Sequence, residues 1–165
     1  MAIKVLVVDD SLVFRRMLSE FLDEDPDIEV VAMAADPYQA RDMIIRFNPD
    51  VMTLDIEMPR MNGIDFMKKL IPQHPMKVIM ISSMEHKVLD YIEYGAVDYV
   101  QKPHDMDSEE MRKWVFSELI TKVKTAYNIK YSEEKKQQIA VTPNNINRQY
   151  HNKIVAIGAS TGGTE

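Results

Sequence analysis

Short apolar runs alternate along this chain with longer amphipathic stretches, and that alternation limits the possible folds more than any other feature. The runs "IKVLVV" (Ile3 to Val8), "VVAMA" (Val30 to Ala34), "VMTL" (Val51 to Leu54), "VIMI" (Val78 to Ile81) and "VDYV" (Val97 to Val100) are bounded by polar or turn residues and read as buried strands. Helices fill the intervals. Ser11 caps one whose apolar side includes Phe14, Met17, Leu18, Phe21 and Leu22, at spacings of three and four. Asp36-Pro37 starts a second, continued by Ala40, Met43, Ile44 and Phe47. Gly63 opens a third with Ile64, Met67 and Leu70, and a fourth around Lys87 to Tyr94 stops at Gly95. Asp107 and Glu110 form a capping pair for a fifth, on which Met111, Trp114, Val115, Leu119 and Val123 face one way. Strands and helices alternating in this way imply right-handed crossovers and a mainly parallel sheet covered on both faces, so the expected class is α/β, doubly wound. Working sites in such sheets lie at the carboxyl ends of the strands.

The residues at those ends form an unusual set. Asp9-Asp10 follow the first strand, Asp55 the third and Ser82 the fourth, and Lys102-Pro103 come after the fifth. Three carboxylates gathered at one edge repel each other and need a cation, a proton or nearby donors. Oxygen ligands without His or Cys favour Mg²⁺. A metal and a lysine together stabilise the oxygens of a phosphoryl group in transit, and a carboxylate can be the group that attacks phosphorus. On this reading Asp55 is the nucleophile, Asp9 and Asp10 hold the metal, Lys102 neutralises incoming charge and Ser82 donates to a phosphoryl oxygen. His74, His86, His104 and His151 show no ligand spacing.

Composition narrows the remaining options. The 165 residues contain 45% apolar residues, enough for a core, and no cysteine, which excludes disulfides and thiolate metal sites. No secretory signal precedes the first strand and no apolar run approaches a membrane span, so a cytoplasmic protein without membrane insertion is expected. The net charge of −6 divides into −10 up to Thr121 and +4 from Lys122 onward. An acidic body repels phosphate backbones, which argues against nucleic acid as a partner.

Four segments, "VLVVDDS", "DVMTLDIEMPRMNG", "VIMISS" and "YGAVDYVQKP", occur in order across the first two-thirds of the chain, and together they resemble the receiver domain of bacterial two-component response regulators. The resemblance implies a flavodoxin-like domain with a five-stranded sheet of order 2-1-3-4-5, and phosphorylation of Asp55 by a histidine kinase. It also implies Mg²⁺ held by Asp10, Asp55 and the backbone carbonyl of Glu57, with Asp9 assisting. Ser82 and Tyr99 match the family's switch pair, a hydroxyl that moves to the phosphate and an aromatic ring that turns inward.

After Tyr127 the periodicity dissolves into "NIKYSEEKKQQIAVTPNNINRQYHNK", which reads as a linker. Residues 1–127 would then be the receiver, 128–152 the linker and 153–165 the start of another domain. The last of these, "IVAIGASTGGTE", runs a strand into a G-x-S-x-G turn that would expose the Ser160 hydroxyl as a nucleophile. A receiver, a polar linker and this turn together resemble the chemotaxis protein-glutamate methylesterases. That implies hydrolysis of glutamate methyl esters on chemoreceptors and deamidation of receptor glutamines, controlled by the receiver acting on its own catalytic domain. The triad His and Asp are expected beyond Glu165, so the 165 residues by themselves are expected to lack esterase activity. Two alternatives are a receiver whose output is protein binding and a receiver with a DNA-binding output; the tail has no helix-turn-helix periodicity to favour the latter.

Overall fold

The computed structural model describes residues 1–83, 88–103 and 107–129. Five parallel strands form one sheet of order β2-β1-β3-β4-β5: β1 (Ile3–Val8), β2 (Ile28–Ala34), β3 (Val51–Asp55), β4 (Lys77–Ser82) and β5 (Asp98–Gln101). The helices are α1 (Leu12–Asp23), α2 (Pro37–Phe47), α3 (Gly63–Leu70), α4 (Val88–Glu93), α5 (Ser108–Trp114) and α6 (Ile120–Asn128). The doubly wound α/β class is the one expected from the alternation, and the strand order is the flavodoxin-like one that the receiver resemblance implies. Asp55 and Ser82 prove to be the last residues of their strands rather than the first residues beyond them.

Local chemistry sets the helix boundaries. Ser11 accepts from the Phe14 amide to start α1, and Asp36 accepts from Tyr38 and Gln39, with Pro37 in the first turn of α2. Asn62 accepts from the Asp65 amide, so the cap of α3 is Asn62, with Gly63 following it. Asp107 accepts from Glu110, as the capping pair predicts. Asn48 ends α2 in the left-handed region at φ 45°, and Gly95 lies beyond α4 at φ 104°, a conformation that favours glycine.

Strand alternation sends successive side chains to two separate cores. On the first face Val5, Val7, Val51, Ile79 and Val100 pack against Phe14, Leu18 and Leu22 of α1 and against Met111, Val115 and Val123 of the C-terminal helical run. On the second face Leu6, Val8, Met52, Leu54, Val78 and Met80 meet Ala40, Ile44, Phe66, Met67 and Tyr91.

The C-terminal run departs from the expected single α-helix. Between α5 and α6 the backbone passes through a π-helical stretch, Val115–Leu119. Met111, Val115, Leu119 and Val123 recur every fourth residue, and an α-helix advancing about 100° per residue would carry that stripe about 120° round the axis over three steps. The wider π turn absorbs the drift and keeps all four residues on the core, where each is fully buried. No helix among the described residues is long and apolar enough to cross a membrane.

Candidate functional site

Three backbone turns bring the charged residues to one place. The sheet ladder continues past β1 through the Asp9 amide, which donates to Ala34 at 3.1 Å. One Asp9 carboxylate oxygen then accepts from the Ser11 amide at 2.9 Å, so the turn that caps α1 also orients Asp9. Asp55 closes β3; the next amide, Ile56, donates to the Ile81 carbonyl at 3.1 Å, and the Glu57 amide donates to Asp55 Oδ1 at 3.3 Å. The Lys102 amide donates to the Ser82 carbonyl at 2.8 Å, which anchors the residue just beyond β5.

Lys102 Nζ lies 2.7 Å from Asp9 Oδ2 and 3.1 Å from Asp55 Oδ1. All three side chains are buried, with exposures of 7%, 2% and 2%. Oxygens of Asp9, Asp10 and Asp55 all fall within 4.8 Å of one another, and Asp10 is the exposed member. The Lys102 ammonium also lies over the ring of Phe14, 4.5 Å from the centroid.

Burial raises the Asp55 carboxyl to about 6, reinforced by the negative charge of Asp9 and held back by Lys102. Asp9 is also raised by burial, with Lys102 again opposing. Burial would depress the Lys102 ammonium, but Asp9 and then Asp55 outweigh it and the net shift is upward. Two buried carboxylates thus share one cation and retain an excess negative charge. The donors are all oxygen, and the exposed Asp10 leaves the cluster a solvated side. These properties fit a hard divalent cation that keeps part of its water shell.

Asp9, Asp55 and Lys102 follow Val7, Thr53 and Val100 at intervals of two, so they belong to the first face. Ser82 follows Val78 and Met80 and belongs to the second, where Tyr99 also packs, its ring stacked 5.6 Å from that of Tyr91. Ser82 is completely buried and Tyr99 half-buried. The sequence-selected residues therefore meet at one end of the sheet but on opposite sides of its pleat. Glu57 is exposed next to the cluster, whereas Ser160 lies outside the described residues.

Two participants were not singled out for the site from the sequence. Phe14 reads only as part of an amphipathic stripe. Gly63 lets α3 close on the acidic strand end: its amide donates to the Ile56 carbonyl at 2.9 Å, and a Cβ there would stand 2.1 Å from the Asp55 carbonyl oxygen. The Asn62 cap followed by glycine was the available signal for that approach.

The fold and the acidic cluster together define a doubly wound α/β domain with a cation-type site at its strand ends. The model of the response regulator receiver domain family matches residues 5–115, and the chain belongs to that family. It is similar to "Protein-glutamate methylesterase/protein-glutamine glutaminase 2" of Syntrophomonas wolfei, at 47% identity over 163 residues, covering 99% of this chain and 47% of that protein. The chain spans about half the length of the curated relatives it matches. Among solved structures, the response regulator domain of Thermotoga maritima CheB matches with a TM-score of 0.72 at 39% identity, over 79% of this chain and 100% of that one. The CheX-CheY-BeF3-Mg complex from Borrelia burgdorferi matches with a TM-score of 0.57 at 30% identity, over 68% of this chain and 87% of that one.

Proposed function

We propose that this chain is the phospho-accepting regulatory part of a chemotaxis protein-glutamate methylesterase/protein-glutamine glutaminase. The observation that carries this reading is the buried Lys102 ammonium bridging Asp9 and Asp55 beside the exposed carboxylate of Asp10. An Asp55 oxygen attacks phosphorus on a histidine kinase's phosphohistidine. The P–O bond forms as the P–N bond breaks, and the imidazole leaves with the bonding pair and takes a proton from water. Asp10, Asp55 and the Glu57 carbonyl, with Asp9 assisting, hold Mg²⁺, which when bound supplies positive charge against the phosphoryl oxygens. Lys102 supplies the second cationic contact. Ser82 follows the phosphoryl group with its hydroxyl, and Tyr99 turns into the space that is vacated.

The Mg²⁺ assignment is supported by the all-oxygen donor set and by the likeness to a receiver solved with BeF3 and Mg. The methylesterase assignment is supported by similarity extending over 99% of the chain. On this reading residues 1–127 are the receiver and residues 128–152 the linker. Residues 153–165 open a catalytic domain in which Ser160 attacks receptor methyl esters, and phosphorylation of the receiver relieves its inhibition of that domain. Methylated chemoreceptors are the substrate.

Incubation with acetyl phosphate and Mg²⁺ tests the acceptor. The wild-type chain takes up one phosphoryl group and Asp55→Asn none. Undiminished labelling of the variant would move the acceptor elsewhere.

A further inference from the structure

We propose that Phe14 is a positioning residue for phosphoryl transfer, its ring face holding the Lys102 ammonium where it reaches both Asp9 and Asp55. The inference rests on the reading of Asp55 as acceptor. Lysine is a compact charged head on a flexible four-carbon stem, so the groups around the head decide where it sits. Here the ammonium has three neighbours, Asp9 Oδ2 at 2.7 Å, Asp55 Oδ1 at 3.1 Å and the Phe14 ring centroid at 4.5 Å. Attraction between a cation and the negative face of an aromatic ring is strongest where water is excluded, and Lys102 is only 7% exposed.

Phe14 is itself held firmly. Its amide donates to Ser11 Oγ at 3.3 Å, and the Ser11 amide donates to Asp9, so one short turn delivers both the carboxylate and the ring to the lysine. The ring also meets Trp114, with centroids 6.2 Å apart and planes tilted by 54°. At 1% exposure it is covered by its neighbours. Leucine or methionine would fill the apolar stripe of α1 equally well, but neither offers a negative face. When a phosphoryl group adds charge at Asp55, the ring limits how far the ammonium can shift, keeping it opposite the new oxygens.

The test replaces Phe14 in the full 165-residue chain by a series of increasingly fluorinated phenylalanines, which keep the ring shape while withdrawing the negative face, and by Leu. The phosphorylation rate with acetyl phosphate and Mg²⁺ is expected to fall stepwise, by about tenfold for the fully fluorinated ring, with little change in thermal midpoint or in half-saturating acetyl phosphate. NMR of the unphosphorylated chain gives a readout independent of the acceptor. The Lys102 ε-methylene protons are expected to be shifted upfield by the Phe14 ring current, and Phe14→Leu should abolish that shift. A flat rate across the fluorinated series, a rate that falls only in step with the melting temperature, or Lys102 protons without a ring-current shift would each overturn the proposal. If wild-type Asp55 takes no label, the acceptor reading fails instead, while the NMR measurement still decides the contact.

Discussion

The two faces of the sheet are packed by the same alternation, yet they do different work. The first face, beneath α1 and the C-terminal helical run, carries Asp9, Asp55 and Lys102 at its upper edge. It also holds both buried side-chain polar atoms without a hydrogen-bond partner among the described residues, Thr53 Oγ1 and Trp114 Nε1. The second face is filled largely by methionine and aliphatic side chains, including Met52, Met58, Met67, Met76 and Met80, with Tyr91 and Tyr99 stacked at its margin. Buried charge is costly and tolerates little displacement, because the ion pairs must keep their geometry to offset desolvation. Methionine packing is adaptable. A charged face held by ion pairs beside an adaptable apolar one suits the proposed switch, in which the chemistry would stay in place while Ser82 and Tyr99 would move on the other side of the pleat.

The largest expected effect comes from removing the shared cation. Lys102→Met leaves two buried carboxylates facing each other, and urea unfolding should show a loss of about 3–5 kcal/mol at pH 8, shrinking toward pH 5 as the carboxyls take up protons. A loss independent of pH would mean that Lys102 matters for packing alone, and the contrast between the faces would lose its electrostatic basis.

Asp55→Asn acts in the opposite direction. The folded-state carboxyl is raised to about 6, so its contribution favours folding fully below its unfolded value near 4 and is lost as pH rises through about 6. At pH 8 without added metal the variant is therefore expected to be more stable than wild type by up to ~3 kcal/mol, an advantage that disappears near pH 4. Added Mg²⁺ should stabilise the wild type more than the variant. A destabilised variant at pH 8 would show that Asp55 is ionised there at no cost.

A smaller effect is expected where the second face touches the site by close approach. Gly63→Ala places a methyl group 2.1 Å from the Asp55 carbonyl oxygen. A cost of about 1–3 kcal/mol in denaturant unfolding follows from forcing backbone apart, together with slower phosphoryl uptake as Asp55 is displaced. Unchanged uptake at reduced stability would confine the role of Gly63 to packing of α3.

The sheet and its acidic edge were legible because both depend on simple periodicities. Buried parallel strands read as short apolar runs, and the strand-end rule then selects Asp9, Asp10, Asp55 and Lys102 without any knowledge of their contacts. Other features depend on information the local pattern does not hold. A stripe repeating every four residues looks the same whether the helix drifts or opens a π turn, so the pattern over Val115–Leu119 predicts only a helix. The Phe14–Lys102 contact joins the first turn of α1 to the residue just beyond β5, and no spacing in the sequence signals it. That Ser82 lies across the pleat from Asp55 follows from counting in twos along registered strands, which requires the pairing of β3 with β4 first.

On the proposed function, carboxylates distant in sequence meet around one divalent cation so that Asp55 can take a phosphoryl group. A crystal structure grown with Mg²⁺ and beryllofluoride tests it most directly. The expected result is beryllofluoride with its beryllium bonded to an Asp55 oxygen, one ion between Asp10 and Asp55, and Lys102 Nζ against a fluorine. An adduct on another residue, or an ion bound away from Asp10 and Asp55, would contradict it.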